Sequence, residues 1–169
     1  MRYPKSLKIV RETVKDERVG KGRHFEKLWW QFAWPRPPMR AALKGLDRYI
    51  VSTLTGKRLF FSWAREDWCP SNAVGVFAFD DDYAMGVLSS FLFEAWARGE
   101  SSTFETRIRF TPSTAYETFP WPSPGANEKE AIEVTSRALI NRRREISISE
   151  EIGLTELYNR MDDGAYTDL

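Results

Sequence analysis

Two arginines and a glutamate occupy every second position between residues 105 and 109. In the stretch SSTFETRIRFTPSTAYETFPWP, Glu105, Arg107 and Arg109 alternate with apolar residues such as Ile108 and Phe110. Alternation with a period of two is typical of a half-buried strand, so the three charged side chains should project from one face. Arginine donates to guanine and glutamate accepts from cytosine, which makes this face a candidate for reading DNA bases. The alternative is a surface strand with cross-strand ion pairs.

Basic residues in two other places are candidates for contacting the DNA backbone. The first group is Lys57, Arg58 and Arg65, and the second is Lys21, Arg23 and Lys27. Lys57 and Arg58 are predicted at the tip of a hairpin, where cations position a protein on phosphates without reading sequence. For each residue the alternative is an ordinary solvated loop.

A dense aromatic run, formed by Trp29, Trp30, Phe32 and Trp34, precedes a proline-rich segment. Such residues can stack on unpaired bases, but a clustered run is more typical of a hydrophobic core, which we expect here. Trp121 lies between two prolines, and we expect it to pack as an anchor where the chain leaves the domain.

Catalytic and metal-binding motifs are absent from the sequence. One histidine, His24, and one cysteine, Cys69, exclude an internal disulfide, a cysteine-rich zinc site and a histidine-based nucleophile relay. Gly20 and Gly22 do not form a phosphate-binding loop between a strand and a helix, and no GxxxxGK[ST] motif occurs. We therefore expect no catalytic residue, no metal site and no cofactor in this chain, which alone should not be an enzyme.

The elements that must position these residues read as an α+β domain. Strands are predicted at 48–54, 58–64 and 73–79, with residues 55–57 as a hairpin turn, and another at 105–109. A long helix, from about 81 to 98, should begin at the acidic run Asp80–Asp82 and form the buried spine. We expect a small, mainly antiparallel sheet packed on this helix, followed by a helical C-terminal segment.

Charge is unevenly distributed along the 169 residues, although the net charge is only +1. Residues 1–65 hold 16 Lys and Arg against 5 Asp and Glu, and the remainder is net acidic. This asymmetry suggests a polyanionic partner for the N-terminal part, or else pairing with the acidic segments inside the fold. The absence of an apolar run of about 18 residues argues against a membrane span, and we expect a cytoplasmic protein.

Several motifs, in order along nearly the whole chain, carry a resemblance to a known family. KLWWQFAWPRP, VFAFDDDYAMGVLSSFLFEAWAR, the FPWP closure and GLTELYN together resemble the C-terminal half of type IIL, MmeI-like restriction-modification enzymes. In that family one polypeptide joins a nuclease, an adenine methyltransferase, a target recognition domain and a helical C-terminal region. The resemblance implies that residues 1–122 are the target recognition domain and residues 123–169 a truncated helical segment.

The resemblance also implies a function and partners. The chain would direct a fused N6-adenine methyltransferase, and a restriction nuclease, to a site on double-stranded DNA. The family's specificity-determining residues fall in the part of the domain that holds Glu105, Arg107 and Arg109. S-adenosylmethionine would be needed by the methyltransferase part and not by this chain. Two alternatives stay open: a protein-interaction module that binds a partner through its aromatic-proline face, and an RNA-binding domain.

Overall fold

The structure, a computed structural model, describes residues 3–31, 35–104 and 107–166, with the side chains of residues 103 and 104 left undescribed. It divides into two compact units, residues 1–41 and 42–169. The division groups the helical segment after residue 122 with the sheet-containing unit. The predicted boundary at residues 122–123, between a recognition domain and a C-terminal segment, stays a prediction.

The first unit consists of short helices. Helix α1 spans Pro4–Val14, a 3₁₀ turn spans Asp16–Arg18, and α2 spans Arg23–Lys27. None of these elements has a buried residue, and two of the unit's cations lie beside aromatic rings. The ammonium of Lys15 lies 5.8 Å from the Trp29 ring centroid, and the Arg18 guanidinium lies 5.4 Å from the Phe25 ring. Helix α3, Pro37–Leu43, leads into the second unit.

The second unit contains two small antiparallel sheets, in agreement with the predicted α+β class. Strands β1 (Arg48–Thr53), β3 (Phe61–Arg65) and β4 (Val74–Phe77) form the first sheet, with β1 at its centre. Strands β2 (Thr55–Gly56), β5 (Ser102–Phe104) and β6 (Arg107–Arg109) form the second, with β6 at its centre. The predicted turn at residues 55–57 is therefore wrong. The connection between β1 and β3 is long enough to leave the first sheet and contribute β2 to the second.

The predicted spine helix is two helices, α4 (Asp82–Leu88) and α5 (Phe91–Glu100). Asp81 caps α4 as expected, since its carboxylate accepts the Ala84 N–H at 2.8 Å. The break follows because Ser90 is in an extended conformation and its hydroxyl caps α5 by accepting the Phe93 N–H at 3.1 Å. A capping serine inside an apolar stripe thus overrides the continuous helical pattern.

The core of this unit is aromatic and lies between both sheets and α5. Phe93 is fully buried and makes edge-to-face contacts with Phe61, Phe110 and Phe119 at centroid distances of 5.6, 6.2 and 5.0 Å. Trp121 packs against the same core, as predicted for the FPWP closure. The core therefore ties β3, β6 and the segment after it to one helix.

The C-terminal helices are α7 (Ala126–Ser149) and α8 (Leu154–Asp162), preceded by the short α6 (Pro112–Ala115). Helix α7 packs on α4 at Gly86, where an added Cβ would lie only 2.7 Å from the Ile132 side chain. Asp82 links α4 to β1 and to α7, because its carboxylate accepts from Arg48 of β1 at 3.0 Å and from Arg137 of α7 at 3.1 Å. In the described part of the chain, no helix is long and apolar enough to cross a membrane.

Candidate nucleic-acid interface

Strand β6 presents two arginines on one side and a buried isoleucine on the other. Arg107 and Arg109 are exposed, whereas Ile108 between them is 2% exposed and belongs to the core. The predicted alternation is thus confirmed for these three residues. Arg109 is paired directly with Thr55 of β2 and Ser102 of β5, so all three lie on the same face of the second sheet. We call this side of the sheet, which carries Arg107 and Arg109, the arginine face.

An open groove of about 600 Å³ runs beside Arg109. Thr55, Asn72 and Thr111 are among the residues that line it, together with several apolar residues. The backbone here is fixed by the Phe110 N–H, which donates to the Leu54 carbonyl at 2.8 Å. The groove is thus lined by both polar and apolar residues, and this backbone hydrogen bond joins two of the segments that line it.

Among the described residues, no ion pair or hydrogen bond engages the side chain of Arg107 or Arg109. Glu105, the third residue of the predicted reading face, lies outside the described residues, and its role stays a prediction. An exposed guanidinium without an internal acceptor keeps all its N–H donors directed to solvent or to a ligand. The arrangement suits bidentate hydrogen bonding to a planar pair of acceptors.

Lys57 and Arg58, here called the basic tip, follow β2 and are held by α8. The Lys57 ammonium donates to Asn159 Oδ1 at 3.3 Å and lies 3.8 Å from Asp162 Oδ2. Arg58 Nη2 donates to Asp162 Oδ1, and the Arg58 side chain is 25% exposed. This hydrogen bond raises the pKa of Arg58 and lowers the pKa of the Asp162 carboxyl. The basic tip is therefore partly neutralised within the protein.

Arg65, at the end of β3, is exposed and forms a two-pronged pair with Asp67. Its Nε and Nη2 donate to the two carboxylate oxygens at 3.0 and 3.1 Å. A surface pair of this kind contributes little to stability, and the guanidinium can exchange Asp67 for another anion. Arg65 thus stays a candidate for phosphate contact.

The second predicted patch belongs to the first unit. Lys21, Arg23 and Lys27 are all exposed, and Arg23 and Lys27 are the first and last residues of α2. Trp29 is half-buried and Trp30 is 48% exposed, so the expectation of a core position is wrong for Trp30. None of the described residues of this unit is buried, so they provide no apolar core for the ring. Phe32 and Trp34 lie outside the described residues.

Several residues at this interface were missed by sequence reasoning. Arg98 of α5 donates to the Lys57 carbonyl at 2.8 Å, and Tyr158, Asn159 and Asp162 of α8 contact the basic tip. The motif GLTELYN, which contains Tyr158 and Asn159, was the one signal available. Throughout the described ranges, no group of three or more histidine, cysteine or acidic residues could hold a metal ion.

Comparison with known proteins gives a fold but no family assignment. No family model matches the chain, and no curated protein matches it. Among solved structures, MmeI, a type IIL restriction-modification enzyme in complex with DNA, matches with a TM-score of 0.66 and 22% sequence identity. The match covers 84% of this chain and 19% of that chain, so this chain spans about a fifth of the length of that enzyme. The chain shares the fold of the matching region of MmeI.

Proposed function

We propose that this chain is a recognition module for double-stranded DNA and that its arginine face reads bases. The observation that carries the proposal is the pair Arg107 and Arg109, exposed on the central strand of a rigidly backed sheet beside an open groove. The shared fold with a region of MmeI, which was solved in complex with DNA, supports this choice of partner.

In the proposed mechanism, each arginine donates two hydrogen bonds to the O6 and N7 atoms of a guanine in the major groove. Glu105 would add an acceptor for the amino group of cytosine. A good bidentate contact discriminates against the wrong base by about 1–3 kcal/mol. Because Ile108 is buried in the core behind the two arginines, the strand offers a fixed platform for this geometry.

Phosphate contacts would set the position of the module along the duplex. Arg65 and the exposed cations of the first unit, Lys21, Arg23 and Lys27, are the candidates for this role, together with Lys57. Such contacts add affinity that falls with salt concentration but carry no sequence information. Arg58 would contribute less directly, because its guanidinium is already engaged by Asp162.

The larger proposal is that residues 1–122 form a target recognition domain, with 123–169 as its helical extension, inside a longer cytoplasmic enzyme. A methyltransferase part of that enzyme would flip an adenine out of the duplex and use S-adenosylmethionine, which supplies the methyl group. The glycine pair at residues 20 and 22 does not form the strand-to-helix loop typical of a site for such a cofactor. Gly20 and Gly22 follow a 3₁₀ turn and precede the five-residue helix α2, and no strand leads into them.

A protein-interaction module is the second candidate, and one observation favours it. Phe91 and Leu92, at the start of α5, are 82% and 73% exposed. Adjacent large apolar side chains on a surface are typical of contact with another protein or domain. The aromatic-proline closure named in the sequence analysis is a poorer surface for this purpose, since Phe119 and Trp121 pack against the core.

Selection from a pool of randomised duplexes tests the proposal directly. The wild-type chain should enrich a defined motif, and Arg107→Ala or Arg109→Ala should relax one position each. Arg65→Ala is the matched control, because it removes an exposed arginine from the first sheet and should weaken binding without changing the motif. Enrichment of no motif, with binding insensitive to salt, would instead favour the interaction module.

Methylation mapping tests the larger proposal. The complete open reading frame that contains this chain would be expressed in a host without DNA methylation, and modified adenines would be located by long-read sequencing. A motif that matches the selected one, and that changes in the Arg107→Ala variant, is expected. Methylation at a motif unrelated to the selected one would contradict the assignment of this chain as the reader.

A further inference from the structure

The basic tip is fixed from two sides by elements distant in sequence. Its side chains contact α8, with Lys57 and Asn159 separated by 102 positions and Arg58 and Asp162 by 104. Its backbone contacts α5, because Arg98 Nη2 donates to the Lys57 carbonyl at 2.8 Å. Arg98 is itself oriented by Glu94, which accepts from its Nη2 at 2.6 Å and from its Nε at 3.1 Å.

Tyr158 is the centre of the contact between α8 and the tip. The centroid of its ring lies 5.7 Å from the Arg58 guanidinium and 5.1 Å from the guanidinium of Arg143 of α7. Arg143 is 7% exposed and donates to the Tyr158 hydroxyl, while the Phe60 ring packs on Tyr158 at 5.1 Å. A ring with two cations and a phenyl group beside it is restrained in its choice of rotamer. Helix α7 thus braces α8 against the tip.

The tip is directly connected to the arginine face. Gly56, the residue before Lys57, is paired with Ile108, and Thr55 is paired with Arg109. Strand β2 contributes only these two residues, so its pairing with β6 is short and has few hydrogen bonds of its own to fix its position. The contacts that hold the basic tip therefore also support β2, an edge strand of the sheet whose central strand carries Arg109.

We propose that Asp162 and Tyr158 of α8 are positioning residues for base reading, acting through the basic tip and β2 on the arginine face. This inference rests on the proposed function. It assigns to the C-terminal helix α8 a role in sequence discrimination that is indirect. The contacts given above for α8 are with the basic tip and not with Arg107 or Arg109. In this arrangement the Asp162 carboxylate binds the Arg58 guanidinium, and the Tyr158 ring packs beside that guanidinium.

Simple electrostatics predicts a different effect for Asp162, and this makes the proposal testable. If Asp162 were only a negative charge near DNA, Asp162→Asn would strengthen binding to every duplex alike. If Asp162 positions the tip, the same substitution lowers the preference for the selected motif over a singly altered site, by about three- to tenfold. Asp163→Asn, which removes the same charge one residue later, should leave this ratio unchanged.

The experiment measures that ratio for Asp162→Asn, Arg58→Gln, the double variant and Asp163→Asn. If the two residues act as one unit, the double variant loses no more selectivity than either single variant. Tyr158→Leu should lower the ratio as well, because it removes the ring beside Arg58 and the hydroxyl that accepts from Arg143. Arg58→Lys provides a milder change, since it keeps the charge but loses the planar fork. An unchanged ratio in Asp162→Asn would overturn the proposal.

Amide hydrogen exchange tests the same inference on the protein alone, without DNA. Asp162→Asn should accelerate exchange in the β2–β6 ladder, at residues 55–56 and 108–110, whereas Asp163→Asn should not. If the wild-type chain enriches no DNA motif, the proposed function fails, and this measurement alone decides whether α8 holds the sheet edge. Unaltered exchange in Asp162→Asn would show that it does not.

Discussion

The arginine face and the basic tip carry the same kind of charge and are connected through the paired strands β6 and β2, yet their cations have different partners. In the described structure, Arg107 and Arg109 have no internal acceptor, and the residue between them is buried. Lys57 and Arg58 are instead held by Asn159 and Asp162. Cations that the protein has not paired are available to a ligand, whereas paired cations help to build the surface.

This difference separates two roles that a basic sequence alone cannot distinguish. A guanidinium without an acceptor can form two hydrogen bonds to a base at no cost to an existing ion pair. A guanidinium that already binds a carboxylate must first lose that partner, so it offers less affinity to DNA. Whether a cation already has a partner within the protein is therefore a better guide to DNA contact than its distance from the binding surface.

The largest expected effect is on stability and comes from the residue behind the arginine face. Ile108→Ala should lower the free energy of unfolding by about 2–5 kcal/mol, because it empties part of a closely packed aromatic core. Arg107→Ala and Arg109→Ala should change it by less than about 0.5 kcal/mol, since both side chains are exposed. Urea unfolding followed by tryptophan fluorescence measures all three.

Ile148→Ala is the matched control for Ile108→Ala. Ile148 is 66% exposed on α7, so the same truncation should cost little there. If Arg109→Ala destabilised the chain as much as Ile108→Ala, the arginine would be structural, and the contrast between the arginine face and the basic tip would disappear.

The second prediction concerns the contact that supports the basic tip through α7. Gly86→Ala places a Cβ 2.7 Å from Ile132 and 3.2 Å from Ser136, so α4 and α7 must separate slightly. We expect a loss of about 1–3 kcal/mol in the free energy of unfolding. Gly99→Ala, on α5 with open space around it, should instead be neutral or stabilise by about 0.4–1 kcal/mol. Equal effects at both glycines would contradict the close approach of α7 to α4.

Local signals in the sequence predicted much of the fold. The alternation at residues 107–109 gave β6 and its exposed face, and the acidic run before α4 gave the cap at Asp81. The break at Ser90 was not predicted, because a serine can also be accommodated within a helix, and only the cap geometry shows the difference. Sequence patterns therefore predicted the structure correctly where it depends on a single segment of the chain.

Contacts between distant segments limited the rest. The pairing of Thr55 with Arg109 and the contact of Arg58 with Asp162 depend on how the whole unit packs, and no periodicity in either segment encodes them. The sequence correctly identified exposed cations as candidates, but it could not tell which of them the protein pairs internally. Side-chain pairing of this kind becomes visible only in three dimensions.

The third prediction compares phosphate contact at the two regions that carry lysine. For a cation that binds phosphate, removal should reduce the slope of log affinity against log salt by about 0.9. We expect this for Lys21→Ala in the first unit, and a smaller reduction for Lys57→Ala, whose ammonium already contacts Asn159 and Asp162. Fluorescence anisotropy with a labelled duplex at increasing KCl measures both slopes. Equal reductions would show that DNA displaces the partners of Lys57 completely.

The smallest expected effect is a pH dependence of stability that arises at the basic tip. Arg58, assisted by Lys57, lowers the pKa of the Asp162 carboxyl below its ordinary value of about 4. A carboxyl whose pKa is lower in the folded state stabilises the fold above the unfolded pKa, and this contribution is lost as pH falls through the folded pKa. The difference in stability between wild type and Asp162→Asn should therefore shrink on acidification from pH 7 to about pH 3. Because the Asp162 side chain is 38% exposed, solvent screens the interaction and the change will be modest.

The same substitution made in an Arg58→Gln background provides the control, since the main partner of Asp162 is then missing and the pH dependence should largely vanish. A difference that persisted in that background would mean that another group, and not the basic tip, sets the pKa of Asp162.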